Sequence, residues 1–128
     1  MRCGTLASAG ATDSMSNSKL TPRSKVLILN SPSNPTGGIL EEKELREIAK
    51  LVVEKNLICI SDEIYEYYLY SGHKHVSIAS FNDEIKKRTF VVNGTSKSYS
   101  MTGLRIGYLA GDVEVVKKIG ILQDHSTS

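Results

Sequence analysis

KVLILNSPSNPTGGILEEKELREIAKLVVEKNLICISDE, residues 25–63, is the stretch that decides the fold. Val26-Leu27-Ile28-Leu29 is a short apolar run rich in β-formers, closed by Asn30-Ser31-Pro32, and it reads as a buried strand. Asn34-Pro35-Thr36-Gly37-Gly38 is a turn cluster. From Glu41 to Lys55, Leu45, Ile48, Ala49 and Val52 recur with the spacing of one helical face. Glu41, Glu42 and Glu44 stand at the start and Lys50 and Lys55 near the end, as the helix dipole prefers, with Asn56 as the stop. Leu57-Ile58-Cys59-Ile60-Ser61 is a second buried strand, with Asp62-Glu63 at its carboxyl end. Strand, helix and strand joined by short loops predict a mostly parallel α/β sheet with flanking helices.

The pattern continues outward. Ile64 to Tyr70 is aromatic and reads as a short helix or turn, followed by loop through Ser71-Gly72. Thr89-Phe90-Val91-Val92-Asn93 is a third strand, ending at Gly94, and a Ser/Thr-rich loop runs from Thr95 to Gly103. Arg105 to Ala110 is a fourth strand. Asp112 then caps a helix whose apolar face is Val115, Ile119 and Leu122. Residues 1–24 differ, being rich in Ser, Thr, Ala and Gly without Val, Ile, Phe or Tyr. They read as a disordered leader or a misassigned start. Their Ser-rich, acid-poor composition also admits a transit peptide.

Composition bounds the classes of function. The chain has 128 residues, enough for one domain, with 40% hydrophobic and 23% charged residues, which excludes wholesale disorder. A net charge of +2 gives no electrostatic case for nucleic acid or an anionic membrane. No apolar run approaches the roughly 20 residues of a membrane span. Cys3 and Cys59 are too few for a disulfide framework and lack metal-ligand spacing. The expectation is a cytoplasmic protein.

In parallel α/β sheets the ligand sits beyond the carboxyl ends of the strands. Asn34, Asp62, and Ser96 with Lys97 each follow a predicted strand, so three polar segments should converge on one rim. The residue types there share a chemistry. A pocket lysine such as Lys97 makes Schiff bases with carbonyl compounds. The fork of an arginine such as Arg105 can hold a phosphate bidentately. A carboxylate at Asp62 can pair with a protonated ring nitrogen, and the amide of Asn34 and hydroxyl of Tyr65 can hydrogen-bond a phenolic oxygen. Taken singly, these are also a loop lysine, a surface arginine, a helix N-cap, a turn residue and a packing aromatic. Together they fit one ligand, pyridoxal phosphate. His73-Lys74-His75 reads as a solvated loop rather than a metal site, and Cys59 as an inert buried thiol.

Three motifs carry a family resemblance. Asn30-Ser31-Pro32-Ser33-Asn34-Pro35-Thr36-Gly37, Ser61-Asp62-Glu63-Ile64-Tyr65, and Ser96-Lys97-Ser98-Tyr99-Ser100-Met101-Thr102-Gly103-Leu104-Arg105-Ile106-Gly107-Tyr108 resemble the class I/II aminotransferases. Within them the branch containing bacterial and archaeal aspartate aminotransferases is the most similar. The resemblance runs from about Leu20 to Ser128 and implies a partial large, cofactor-binding domain over residues 25–128. It implies that Lys97 forms the internal aldimine and shuttles the proton. It implies that Asp62 partners the pyridine nitrogen, and that Tyr65 and Asn34 contact the phenolic oxygen, Asn34 also lying close to the substrate. Arg105 and Ser96 are implied as phosphate ligands. Leu104 departs from the pattern, a tryptophan being usual there.

The resemblance implies transamination between an amino acid, aspartate for preference, and a 2-oxo acid, within a homodimer. The upstream phosphate loop and the downstream small domain of the family are not visible, so the chain resembles a central fragment. The alternatives are an inactive remnant or split-protein segment that binds cofactor or a partner chain, and a lyase of the same fold.

Overall fold

The computed structural model describes the backbone of residues 2–7 and the whole of residues 20–126. Five strands form one sheet in sequence order: β1 (Arg2–Ala7), β2 (Ser24–Asn30), β3 (Ile58–Asp62), β4 (Thr89–Gly94) and β5 (Gly107–Ala110). The first four are parallel and β5 is antiparallel to β4. A parallel return needs a crossover of a dozen or more residues, usually a helix. Between β4 and β5 the chain has only a single helical turn, α3 (Thr95–Ser98), and a 3-10 turn at Thr102–Leu104. It doubles back instead. The predicted fourth strand therefore starts later than Arg105, which adopts a left-handed conformation (φ 55°, ψ 40°) at the end of the 3-10 turn.

Residues 2–7, expected to carry no strand, pair in parallel with β2 from Cys3↔Val26 to Ala7↔Asn30. The β2 backbone supplies partners that the side-chain pattern did not advertise. Of the rest of the stretch read as a leader, Met1 and residues 8–19 lie outside the described residues, and residues 20–24 turn into β2, which Ser24 opens.

Helix α1 (Glu42–Glu54) connects β2 to β3, and a 3-10 turn (Ile78–Ser80) with α2 (Asp83–Arg88) leads into β4. At the start of α1 the Glu44 carboxylate accepts the Glu41 N–H at 2.8 Å. At its end Asn56 takes φ 50°, Asn56 N–H reaches Val53 O, and Leu57 N–H reaches Val52 O. That is the left-handed stop expected of Asn56. The short α2 was not read from sequence. Asn82 caps it by accepting from the Glu84 and Ile85 N–H groups at 3.0 and 3.1 Å.

The core lies on one side of the sheet. Leu27 and Leu29 of β2 and Cys59 of β3 pack with Leu45, Ile48, Ala49 and Val52 of α1, with Ile78, and with Ile85 of α2. The four predicted face residues of α1 are its buried ones. On the opposite face Ile58 and Val92 are exposed. Helix α4 (Val113–Asp124) is capped by Asp112 Oδ1, as expected, through the Glu114 and Val115 N–H groups. Its apolar residues are nevertheless exposed: Val115 and Ile119 by 40% and Leu122 by 66%. None of the helix is buried among the described residues. No helix among them is long and apolar enough to cross a membrane.

Candidate functional site

β2, β3 and β4 are neighbours and parallel, so their carboxyl ends share one edge, and the register sets Asn30, Asp62 and Val92 in one row across it. The segments leaving those ends meet there. After β2 the chain turns through Ser33-Asn34-Pro35-Thr36-Gly37, closed by the Gly37 N–H on Ser33 O at 2.8 Å. Asn30 Oδ1 accepts the Asn34 N–H at 3.0 Å, fixing that loop to its own strand end. Asn30 Nδ2 also donates to the Asp62 carbonyl at 3.4 Å, fixing the loop to β3.

The predicted partners Asn34 and Tyr65 are in contact: Asn34 Nδ2 donates to the Tyr65 hydroxyl at 3.0 Å. Lys97, on α3, holds its Nζ 5.6 Å from the centre of the Tyr65 ring. Tyr68 stacks edge-on against Tyr65 at 5.7 Å and donates its hydroxyl proton to the Lys97 carbonyl at 2.8 Å. Tyr68 was not singled out from sequence. Its signal was the three-residue spacing from Tyr65 within an aromatic run.

Asp62 ends β3 and is half-buried; its Oδ1 accepts the Ile64 N–H at 3.2 Å, which closes the turn carrying Tyr65. Ser96 is half-buried on α3. Arg105 is exposed and its Nη1 donates to the Thr102 carbonyl at 3.4 Å, so its guanidinium rests on its own loop. Asn34, Tyr65 and Lys97 thus form a contiguous group, Asp62 stands at the β3 end two residues before Ile64, and Arg105 bonds its own loop. An open groove of about 490 Å³ runs beside the group, lined by Ser33, Asn34, Tyr65, Tyr68, Tyr70 and His73 among others.

Two buried hydroxyl oxygens among the described residues, Ser33 Oγ and Ser98 Oγ, have no hydrogen-bond partner. They flank Asn34 and Lys97 in sequence. A buried polar atom without a partner carries a desolvation cost of about 1–3 kcal/mol. The donor set also suits a phosphorylated pyridine aldehyde: an amine, a carboxylate at a strand end, an amide–phenol pair and a guanidinium.

Of the two histidines expected to be solvated, His73 is exposed, with its Nδ1 2.8 Å from Glu41 Oε1, whereas His75 is half-buried. His75 Nε2 lies 2.9 Å from Glu63 Oε2, and Ser61 and Ser77 hydroxyls donate to Glu63 Oε1 at 2.9 and 2.7 Å. Burial alone would raise the Glu63 carboxyl; the bonds from His75, Ser77 and Ser61 outweigh it and hold the group below its ordinary value. The Glu63 hydrogen bond raises His75, against the opposing effect of burial. This cluster was missed from sequence, although Cys59, Ser61 and Glu63 alternate onto one strand face. Cys59 itself is fully buried, and burial pushes its thiol up to about 12, against a lowering bond from Thr89.

Comparison with known proteins follows the same lines. A family model described as aminotransferase class I and II matches residues 9–128, beginning inside the stretch read as a leader. The aspartate aminotransferase of Bacillus sp. (strain YM-2) is 50% identical over 109 residues, 85% of this chain and 28% of that protein. The probable aspartate/prephenate aminotransferase of Aquifex aeolicus (strain VF5) is 54% identical over 110 residues, 86% of this chain and 28% of that protein. The aromatic aminotransferase structure from Pyrococcus horikoshii OT3 superposes with a TM-score of 0.81 at 44% identity, covering 84% of this chain and 29% of that one. The chain spans a little over a quarter of the length of the relatives it matches.

Proposed function

The chain belongs to the class I and II aminotransferases, and from that premise we propose that its strand-end rim binds pyridoxal phosphate and serves amino-group exchange between an amino acid, aspartate for preference, and a 2-oxo acid. One observation carries the reading. Residues from three separate strand ends meet as the Asn34–Tyr65 hydrogen bond with Lys97 Nζ over the Tyr65 ring. Aspartate rests on the relatives named for it and on their level of identity. A cytoplasmic setting rests on composition alone.

When bound, pyridoxal phosphate supplies an electron-withdrawing ring that stabilises negative charge at an amino acid α-carbon. The chain's own residues do the rest. The Asp62 carboxylate holds a proton at the ring nitrogen. Asn34 Nδ2 and the Tyr65 hydroxyl orient the phenolic oxygen. Ser96 and Arg105 hold the phosphate, Arg105 by exchanging its Thr102 carbonyl for a charge-assisted pair. Lys97 Nζ would supply the anchoring amine and, once the incoming amino group has displaced it, would accept and return the α-proton. Asn34 would also lie close to the substrate.

A second reading has its own support. The exposed apolar residues of α4 and the Leu104–Ile106 loop favour a chain that works against a partner polypeptide, a second copy or a complementing segment. Titration with pyridoxal phosphate, followed by absorbance, tests the first reading. Saturable binding that Lys97→Ala abolishes and Asp62→Ala weakens is expected. Equal absorbance changes in all three chains would remove it.

A further inference from the structure

Glu63 is 5% exposed and sits next to Asp62 in the chain. Its carboxylate receives three donors: Ser61 from β3, which Glu63 directly follows, and His75 and Ser77 from the segment a dozen or so residues on. Its N–H bonds the Val92 carbonyl of β4 at 2.9 Å. Both the backbone and the side chain of Glu63 are therefore tied, one to the neighbouring strand and one to a loop. Successive residues in a strand point to opposite faces. Ser61 and Glu63 point toward the core side, so the residue between them, Asp62, points the other way. Fixing Ser61 and Glu63 fixes the direction in which Asp62 leaves the strand.

We propose that the Glu63–His75 pair, with Ser61 and Ser77, is a positioning device that aims the Asp62 carboxylate at the rim. The inference rests on the reading of Asp62 as the partner of a ring nitrogen. The pair acts in two ways. It clamps the backbone on either side of Asp62. It also sets the His75 ring against the Glu63 carboxylate at 2.9 Å, and the hydrogen bond favours the protonated ring, which offsets the Glu63 charge beside Asp62. The ionisable groups facing His75 are Glu63 and, farther off, Glu66 on the same turn. Cys59 of β3 faces Glu63 from below. Lys74 adjoins His75 in sequence, and His73 is taken up by Glu41 at the start of α1. Glu66 Oε1 is itself held by Asn93 Nδ2 at 2.8 Å. His75 is the member that changes charge on the alkaline side.

The test uses the 128-residue chain and two readouts. The first needs no cofactor. The Ile64 amide donates to Asp62 Oδ1, so its NMR shift reports on the Asp62 carboxylate. In the wild type that shift should follow the His75 titration, which lies above the ordinary imidazole value. In Glu63→Gln the response should vanish and His75 should return toward the ordinary value. His75→Gln, at a less buried position, provides a second variant and should also abolish the response.

The second readout is affinity for pyridoxal phosphate. Glu63→Gln should weaken it about tenfold, the lower end of what outer partners of a ligand are worth. The same change on an Asp62→Asn background should have little further effect. An Ile64 amide indifferent to His75, or a Glu63→Gln loss that persists on the Asp62→Asn background, would overturn the proposal. An intact Ile64 response with affinity indifferent to Asp62→Asn would remove the cofactor reading and leave the aiming of Asp62 standing.

Discussion

Asn34 and Tyr65 stand 31 residues apart and meet through one hydrogen bond at the surface. Removing it should cost little stability, since an exposed bond contributes about 0.5–1.5 kcal/mol at most. Tyr65→Phe is therefore expected to leave the thermal midpoint within a few degrees while weakening pyridoxal phosphate binding several-fold; a large loss of stability with unchanged binding would assign the pair to folding. Cys59 carries a different expectation. A buried thiol held near 12 does not form the thiolate that alkylating reagents need. Peptide mapping after alkylation should find Cys59 unmodified until denaturant is added, and native modification would contradict its burial. At this scale sequence was informative where a residue follows a strand. Asn34, Asp62 and Lys97 were placed by that rule alone. It was uninformative for the pairing of His75 with Glu63, because His75 lies in a loop where neither a periodic pattern nor a strand end marks it. It also misplaced Arg105, because a left-handed backbone at an arginine has no compositional signal.

The strands, helix α1 and the Asp112 cap were legible because each has a local cause: an apolar run, a helical face, a capping side chain. β1 was not, since its residues are paired through the β2 backbone rather than selected by pattern. The reversal into β5 depends on a close approach. A Cβ built on Gly94 would lie 2.7 Å from the Ile106 carbonyl oxygen and 3.1 Å from the Gly107 Cα, both backbone. Gly94→Ala should therefore destabilise by about 1–3 kcal/mol, as overpacking does. The Thr95 N–H bond to Ile106 O at 3.1 Å would be displaced with it, moving the turn that carries Lys97. A denaturation curve superimposable on wild type would show that the two segments do not cross at Gly94. The apolar face predicted for α4 is the converse case. Its pattern was read correctly as a helix, but a pattern states that a face is apolar and not what covers it.

Among the described residues the core packs on one sheet face, and the other face leaves Ile58 and Val92 exposed. Parallel strands are ordinarily covered on both sides, and the continuous apolar runs of β2 and β3 have that character. With Ile58, Val92, Leu104, Ile119 and Leu122 exposed, the chain in isolation is expected to bind an apolar dye and to associate at micromolar concentration. A monodisperse monomer with no dye binding would refute this.

Stability should also be bounded on both pH flanks. Glu63, lowered in the fold, contributes fully above its ordinary value and loses that contribution as pH falls through the lowered one. His75, raised in the fold, contributes fully below its ordinary value and loses that contribution as pH rises through the raised one. Thermal midpoints should peak between these flanks, and the double change Glu63→Gln with His75→Gln should flatten both.

If three strand ends build one cofactor rim around Lys97, reducing a mixture of the chain and pyridoxal phosphate with borohydride and mapping the labelled lysine by mass spectrometry will find label on Lys97 alone, lost in Lys97→Ala without reappearing elsewhere. Label scattered over Lys43, Lys86 and Lys117 would contradict it, because those amines lie on helices and share no site with Asn34 and Tyr65.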